Sequence, residues 1–329
     1  MKTKNQPLNF ALIGAAGYIA PRHMIAIRET GNNLIAALDP YDGVGIIDNY
    51  FPYADFFIEP ERFDRHLDKL RRMAHTKPRL HNLKVDYVSI CSPNYMHDAH
   101  IRLALRNDAH AICEKPIVLN PWNVEALHEI EKEFGKKVYT ILQLRHHPAI
   151  LAFRDKIEKM DQSTIHDVDL TYITSRGNWY FRSWKGDISK SGGIATNIGI
   201  HFFDMLTWIF GAVKTNRVHM LTPEKAGGLL ELQKARIRWF LSLDIADIPA
   251  TIRVQEKRTY RSLKIDGEEF EFSEGFTGLH TVSYQEILAG KGYGLKDAKP
   301  SIQVVYTIRN SKPVGLKGDY HPALKHKPL

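Results

Sequence analysis

The chain has 329 residues, 43% of them hydrophobic and 25% charged, a composition typical of globular proteins and a length that favours two domains. Its formal net charge of +8 favours anionic ligands, but the basic residues are scattered and form no recognisable nucleic-acid-binding module, so no nucleic-acid partner is expected. Two cysteines are too few for a disulfide framework, and the most apolar later stretch, Ile198–Val213, is too short and too polar to span a membrane. These features predict a cytoplasmic protein that does not bind membranes.

Short apolar runs alternate with helical patterns over the first part of the chain. The predicted strands are Asn9–Ile13, Leu34–Leu38, Val85–Cys91, Ala109–Cys113 and Lys137–Gln143. The predicted helices are Ile19–Thr30, Pro60–His75, His97–Arg106 and one that begins at Asn120 or Pro121 and runs to about Phe134. This alternation predicts an α/β fold, with a doubly wound parallel sheet of Rossmann type over residues 1–143.

After Pro148 the pattern changes to longer strands with short turns. The predicted helices are Ala149–Lys159, Ile198–Phe210 and Ser283–Ala289. The predicted strands are Val168–Ser175, Arg236–Leu243, Ala250–Glu256, Arg258–Ile265 and Glu269–Phe272, the last two joined by an Asp266-Gly267 turn. Residues 144–329 are therefore predicted to form an α+β domain on an open, mostly antiparallel sheet, which binds substrate and offers a face for oligomerisation.

The first candidate site is the turn from Gly14 to Gly17, between the first predicted strand and the following helix. Glycines here let backbone N–H groups approach a pyrophosphate, and the helix N-terminus favours its charge, although alanine replaces the middle glycine of the usual motif. Asp39 ends the second predicted strand, where a carboxylate binds ribose hydroxyls and repels a 2′-phosphate, so NAD is expected rather than NADP. An ordinary loop acid is the alternative for Asp39. The predicted cofactor contacts in this region are Gly14, Ala16, Gly17, Tyr18, Ile19 and Asp39.

Two further candidate sites follow the third and fourth predicted strands. Parallel strands present their carboxyl ends at one edge of the sheet, where ligands bind. Lys115 at that edge could reach a substrate hydroxyl with a pKa suited to proton transfer, although a lone lysine is usually only solvated. The predicted cofactor contacts in these two segments are Ser92, Pro93, Asn94, His97, Glu114 and Lys115.

The fourth candidate site is the helix that follows Gly192-Gly193. Asn197, His201 and Asp204 are spaced to share one face of that helix, which is otherwise apolar. A polar stripe in such a helix indicates a ligand, and a buried, satisfied histidine is the alternative. No group of histidines and cysteines has the spacing of a zinc site, so no metal is expected.

These motifs, in this order, resemble those of the Gfo/Idh/MocA family of oxidoreductases over nearly the whole chain. In that family the lysine of the EKP triplet lies between nicotinamide and substrate, and the helix histidine contacts the hydroxyl that is oxidised. The resemblance implies these roles for Lys115 and His201. The family's aspartate four residues before the histidine is Asn197 here. Asn197 is therefore expected to hold substrate, and proton removal falls to His201 or Lys115.

Longer segments resemble one branch of the family, the UDP-N-acetylglucosaminuronate 3-dehydrogenases. They are Gly14–His23, Ile90–Leu105, Cys113–Asn123, Thr174–Asp187, Gly192–Asp204, Arg238–Asp244 and Asp266–Gly290. The resemblance implies oxidation of the 3-hydroxyl of UDP-2-acetamido-2-deoxyglucuronic acid in the synthesis of bacterial surface polysaccharide (O-antigen). It also implies a homotetramer and, as in some members, recycling of tightly held NADH by 2-oxoglutarate.

Aromatic and basic residues around the proposed site suit such a substrate. Cations can bind the diphosphate and carboxylate of a sugar nucleotide, and aromatic rings can stack on its rings. Packing of these aromatics against a sheet is the alternative. The predicted substrate contacts are Lys115, Arg145, Arg176, Trp179, Arg182, Trp184, Asn197 and His201. Two other functions stay open: a dehydrogenase of another sugar or cyclitol, and a non-catalytic sensor of NAD or a sugar nucleotide.

Overall fold

A parallel sheet occupies the first half of the chain, in a computed structural model that describes residues 6–77, 83–161, 163–272 and 275–325. Strands β1 to β6 are Asn9–Ile13, Asn33–Leu38, Asp55–Phe57, Tyr87–Ile90, His110–Cys113 and Val138–Thr140. Their order in the sheet is β3-β2-β1-β4-β5-β6, and all of these neighbours pair in parallel. This is the strand order of the Rossmann fold, and it confirms the predicted doubly wound α/β sheet.

Helices follow the strands and cover the sheet. They are α1 Ala20–Glu29, α2 Val44–Asp48, α3 Pro60–Thr76, α4 His97–Arg106 and α5 Pro121–Phe134. Strand β1 is buried along its whole length, and Phe10 and Leu12 share a core cluster with Met24 and Ile27 of α1. Because this core clamps α1 against β1, the turn between them has a fixed position at the carboxyl end of the strand.

The chain divides into two compact units that do not follow a single cut in the sequence. The first contains the described residues of Met1–Val118, Trp122–Gln143 and Thr277–Ala298. The second contains those of Leu119–Pro121, Leu144–Phe276 and Lys299–Leu329. The late helix α11, Leu279–Leu288, therefore lies in the first unit, although residues 144–329 were expected to form one domain. Tyr284 and Ile287 of α11 join the buried cluster around β1, which explains this placement.

The second unit is built on another six-stranded sheet. Its strands are β7 His166–Thr174, β8 Val213–Leu221, β9 Lys225–Leu232, β10 Ala235–Ser242, β11 Thr259–Ile265 and β12 Glu268–Glu269. Their order is β12-β11-β7-β10-β9-β8, where β7 and β10 pair in parallel and the other neighbours are antiparallel. Its helices are α6 Pro148–Lys159, α7 Trp179–Arg182, α8 Ile188–Ser191, α9 Ile200–Phe210 and α10 Ala250–Arg253, and α12, Leu295–Asn310, enters it from the first unit. The mostly antiparallel sheet confirms the predicted fold class.

Several elements differ from the prediction. The segment predicted as a strand at Ala250–Glu256 begins with the short helix α10, because Pro249 precedes it and suits the start of a helix. Strands β3, β8 and β9 and helix α12 were not predicted, so Glu114 follows the fifth strand rather than the fourth. A close contact explains why β9 was not predicted. A Cβ at Gly228 would lie 2.7 Å from the Trp239 ring, so the packing there requires glycine, which has a low strand propensity.

The helix that carries His201 also departs from a regular α-helix. Residues Ala195–Gly199 form a π-helical turn, and α9 begins only at Ile200. On the other side, Phe203 of α9 packs edge-on against Trp239 of β10, with ring centroids 5.3 Å apart.

Among the described residues, no helix is both long and apolar enough to cross a membrane.

Candidate functional site

The turn after β1 has the geometry of a pyrophosphate-binding loop. Gly14 has a φ of +87°, and its N–H donates to the carbonyl of Leu38 over 2.8 Å. A Cβ on Gly14 would lie 2.6 Å from the backbone carbon of Cys91, so only glycine allows β1 and β4 to end this close together. Ile19 at the N-cap of α1 makes no side-chain capping bond. The helix N-terminus is thus open to an anion, as NAD binding requires.

The carboxylate of Asp39 is built into this loop. It is 6% exposed, and its two oxygens accept hydrogen bonds of 2.9 Å from the backbone N–H groups of Ala16 and Tyr41. An ionised carboxylate can accept further bonds, so this arrangement leaves capacity for a ribose. Tyr18, by contrast, is 90% exposed beside the turn. The predicted residues of the glycine turn and Asp39 therefore do come together at one edge of the sheet.

The loop after β4 is tied to the loop after β5 by His97. This imidazole is buried, with Nδ1 2.6 Å from the carbonyl oxygen of Pro116 and Nε2 2.8 Å from that of Ser92. Burial lowers its pKa below the usual value, although the two carbonyls favour the protonated form. Ser92 Oγ lies 2.8 Å from Nδ1 of His100, and burial lowers the pKa of His100 to about 4. Asn94 is buried in the short 3₁₀ helix Asn94–Met96, at the end of this loop and directly before α4.

Glu114 and Lys115 differ in their surroundings although they are neighbours. Lys115 is half-buried, whereas Glu114 is 6% exposed and turns into the interior of the first unit. Its Oε1 lies 3.1 Å from Nε2 of His23 and 3.0 Å from Nε2 of His280, and its Oε2 accepts the backbone N–H of Lys115 over 3.2 Å. The sequence analysis did not single out either histidine. Their positions far from Glu114 in the chain left no local pattern to find them by.

These three residues are also the one possible metal-ligand group among the described residues. One ligand atom from each of His23, Glu114 and His280 lies within 4.8 Å of the others. Both imidazoles, however, are within hydrogen-bond distance of the same carboxylate oxygen. Hydrogen bonding alone can therefore account for the group.

In the second unit, the π-helical turn brings Asn197 to a buried tyrosine. Its side-chain amide donates to the hydroxyl of Tyr180 over 2.6 Å. Burial raises the pKa of Tyr180, and this bond opposes the rise. His201 is half-buried at the second residue of α9. Tyr180 was not among the predicted substrate contacts, although its neighbour Trp179 was.

Asp204 does not continue the predicted polar stripe toward a ligand. It is 2% exposed, and its two oxygens accept from Nε and Nη2 of Arg145 over 2.9 and 2.7 Å. Arg145 is itself 4% exposed and also lies over the ring of Trp208. A predicted substrate contact, Arg145, is thus engaged in a buried, bidentate ion pair.

An aromatic and basic surface lies at α7 and in the loops on either side of it, and it contains predicted substrate residues. The amine of Lys185 lies 4.7 Å from the Trp184 ring centroid and 5.6 Å from that of Trp179. Burial lowers the pKa of Lys185, and the charge of Arg176 lowers it further. Trp179 is 54% exposed, and Arg176 and Arg182 are exposed as well. Exposed rings beside several cations suit an anionic, ring-containing ligand.

A glycine turn, a buried acid at the second strand and an EKP triplet together define an oxidoreductase with a dinucleotide site. Two family models match the chain: the NAD-binding Rossmann fold of the oxidoreductase family over residues 8–142, and its C-terminal alpha/beta domain over residues 155–240. The chain belongs to this Gfo/Idh/MocA family. It is an NAD-dependent dehydrogenase.

Solved structures of a Thermus thermophilus protein are similar to nearly the whole chain. The WlbA (WbpB) dehydrogenase from that organism, in complex with NAD and alpha-ketoglutarate, is 50% identical, with a TM-score of 0.90, over 96% of this chain and 99% of that chain. Its complex with NAD and UDP-GlcNAcA gives 49% identity and a TM-score of 0.89 over the same shares.

A curated relative is more distant. D-glucoside 3-dehydrogenase of Escherichia coli (strain K12) is 26% identical over 220 residues, which are 65% of this chain and 58% of that enzyme. The chain therefore spans less than two thirds of that relative's length.

Proposed function

We propose that the protein oxidises the 3-hydroxyl of UDP-2-acetamido-2-deoxyglucuronic acid to the 3-keto sugar. The observation that carries this proposal is the 49% identity, over 96% of this chain, with a dehydrogenase solved with NAD and UDP-GlcNAcA. The exposed aromatic and basic surface of the second unit supports an anionic sugar nucleotide as substrate.

The reaction divides between Lys115 and His201. Bound NAD supplies the acceptor for the electron pair of the C3–H bond. His201 or Lys115 takes the proton of the hydroxyl, and the other residue holds the oxygen and stabilises its developing negative charge. Asn197, which is held by Tyr180, cannot act as a base and binds substrate in this proposal.

Lys185 and the two tryptophans around it recognise the anionic part of the substrate. The Lys185 amine lies near two aromatic rings and is partly buried, which favours a charge-assisted bond to a phosphate or carboxylate. We expect Lys185→Met to raise KM for the sugar nucleotide about tenfold and to change kcat little. Lys190→Met is the control, because Lys190 lies near it in sequence and pairs with exposed Asp187.

The finer attributes of the relatives also belong to this proposal. The similar Thermus thermophilus protein was solved with alpha-ketoglutarate, which supports 2-oxoglutarate as an oxidant that regenerates NAD. A homotetramer, a cytoplasmic location and a role in surface-polysaccharide (O-antigen) synthesis rest on the resemblance of the sequence segments.

The first test is the reduced-nicotinamide absorbance of the purified protein mixed with NAD and UDP-2-acetamido-2-deoxyglucuronic acid, with and without 2-oxoglutarate. We expect either a rise in absorbance or consumption of 2-oxoglutarate that depends on the sugar nucleotide. Silence in both formats, with turnover of a simple glucoside or a cyclitol instead, would transfer the proposal to the activity of the more distant relatives. Silence with every sugar, while NAD still binds, would favour a sensor.

The second test replaces the two proposed catalytic residues. Lys115→Ala and His201→Ala should each lower kcat about 10²- to 10⁴-fold, because each removes proton transfer or charge stabilisation at the hydroxyl. Lys137→Ala, at an exposed lysine beside β6, is the matched control and should keep the wild-type rate. Wild-type rates in both alanine variants would contradict the assignment.

A further inference from the structure

A connected group of buried polar side chains lies behind the EKP triplet, inside the first unit. His23, Ser89 and Tyr284 have no exposed surface, and His280 and Glu114 are 3% and 6% exposed. They come from α1, β4, α11 and the end of β5, so elements distant in sequence meet at this point. Polar groups this deeply buried are retained only when their hydrogen bonds are satisfied.

The distances determine which atom of each group donates. Oε1 of Glu114 is an acceptor, so both imidazoles that face it, at 3.1 and 3.0 Å, carry their proton on Nε2. Neutral His23 must then accept at Nδ1, and the hydroxyl of Tyr284, 2.7 Å away, donates to it. The oxygen of Tyr284 accepts in turn from Ser89 Oγ over 2.6 Å. Each proton placed in this way has one acceptor within the group.

The Glu114 carboxylate is the negatively charged member of this network. Burial raises the pKa of Glu114, but the hydrogen bonds and electrostatic interactions with His23 and His280 together bring that pKa well below its usual value. Burial lowers the pKa of His23, so its imidazole is neutral. Electrostatic interactions also link Glu114 to Cys91 and Cys113, and burial raises the pKa of both thiols well above the usual value, so they stay uncharged.

The charge is connected to Lys115 through the backbone. Oε2 of Glu114 accepts the N–H of Lys115 over 3.2 Å. Helix α11, which supplies His280 and Tyr284, is anchored in turn: Thr281 donates to Glu29 of α1 over 2.7 Å, and Tyr284 stacks on Phe10 of β1. The backbone of Lys115 is therefore positioned by contacts with the buried centre of the sheet, and not only by its own loop.

We propose that His23, His280 and Tyr284 are positioning residues, which hold the Glu114 carboxylate as an anion so that it fixes the backbone of Lys115 and stabilises positive charge on its side chain. The proposal rests on the catalytic role of Lys115 given above. It explains why a core site contains a glutamate and two histidines, where apolar side chains would pack at lower cost.

The variants for the test are Glu114→Gln, which removes the charge at nearly constant shape, and Tyr284→Phe, which removes one hydroxyl and should leave the fold intact. The matched control is Glu131→Gln. Glu131 is also buried, accepts the backbone N–H of Val138 over 2.7 Å and contacts His128, but it belongs to α5.

The first readout is the reactivity of Lys115 in the full-length protein, with NAD present. Competitive acetylation with acetic anhydride across a pH series, read by mass spectrometry, gives the pH midpoint at which Lys115 becomes reactive. We expect a fall of about one pH unit in Glu114→Gln, since an adjacent anion favours the protonated amine, a smaller fall in Tyr284→Phe, and none in Glu131→Gln. Unchanged midpoints in both network variants would overturn the proposal.

The second readout is turnover. Both network variants should lower kcat about 10- to 100-fold while KM for NAD stays within about threefold, because the glycine turn and Asp39 are unchanged and the Glu114 carboxylate is buried away from them. If Glu131→Gln lost as much activity and as much of its unfolding midpoint as the network variants, any buried glutamate would have this effect, and the proposal would be overturned.

Two further outcomes are distinguishable. Stoichiometric metal in the purified wild-type protein, measured by mass spectrometry of the elements and lost in Glu114→Gln, would replace the hydrogen-bond network by a metal site. Because acetylation needs no sugar substrate, an inactive wild type would count against the proposed function, while the Lys115 midpoints would still decide on the network.

Discussion

Replacing Arg145 with methionine should cost the protein stability rather than affinity for an anionic substrate. The guanidinium is 4% exposed and donates two hydrogen bonds, of 2.9 and 2.7 Å, to the carboxylate of Asp204, which is 2% exposed. The substitution removes both charged donors and leaves a negative charge in the interior of the second unit. This differs from the role in substrate binding that the sequence predicts for Arg145.

The magnitude follows from the burial of the pair. Breaking a buried ion pair from one side costs about 3–5 kcal/mol, a large part of a total folding free energy of about 5–15 kcal/mol. For unfolding in guanidinium chloride, with an m-value of about 4 kcal/mol per M, the midpoint concentration should fall by about 1 M. The double variant Arg145→Met/Asp204→Asn removes both charges, so its loss should be about 2–3 kcal/mol smaller than the sum of the single losses.

Unfolding in guanidinium chloride, followed by tryptophan fluorescence, measures these differences in the free energy of unfolding. Arg154→Met is the matched control: its guanidinium lies 4.1 Å from the ring centroid of Trp208, which Arg145 also contacts, but its ion pair with Glu158 is partly exposed. The control should lose less than about 1 kcal/mol. If Arg145→Met were as mild as this control and raised KM for the sugar nucleotide tenfold, the reasoning would be refuted and Arg145 would be a substrate contact.

Three further predictions concern the cofactor loop and the C-terminal segment. Gly14→Ala should weaken NAD binding at least about tenfold by calorimetry, because its Cβ would lie 2.6 Å from backbone, whereas Gly31→Ala, at a similar φ in open space, should leave NAD affinity unchanged. Asp39→Ser should lower the affinity for NAD and reduce the preference for NAD over NADP, because the carboxylate that repels a 2′-phosphate is lost. Competitive binding of the two cofactors would measure this preference, and an unchanged preference would show that other residues discriminate between NAD and NADP. Burial lowers the pKa of His321 to about 4, so as the pH falls the unfolded chain becomes protonated at this residue before the folded protein does. The free energy of unfolding should therefore fall by about 3 kcal/mol as pH drops from 6.5 to 4. Urea unfolding of His321→Gln across that range should lack this part of the slope, and an identical slope would exclude His321 as its source.

Much of the first unit could be predicted because its signals are local. A buried strand, a glycine turn and a helix lie next to one another in the chain, so the hydrophobic period and the glycines were enough to find β1, the turn and α1. The strand ends that carry Asp39 and Lys115 followed from the same pattern, since parallel strands end at one edge. Strands β8 and β9 escaped prediction because the first half of β8 is polar and mostly exposed and β9 contains two glycines.

Tertiary structure alone decided which side chains are partners. Glu114 pairs with His23 and His280, which lie 91 and 166 residues away, and Arg145 pairs with Asp204, 59 residues away. Such pairs leave no period in the sequence, because they depend on which helix returns to which sheet. The sequence by itself thus determined the family, the cofactor loop and the edge at which chemistry can occur. The return of α11 to the first unit determined how Glu114 is held, because long-range packing of Tyr284 and Ile287 against β1 places His280 beside it.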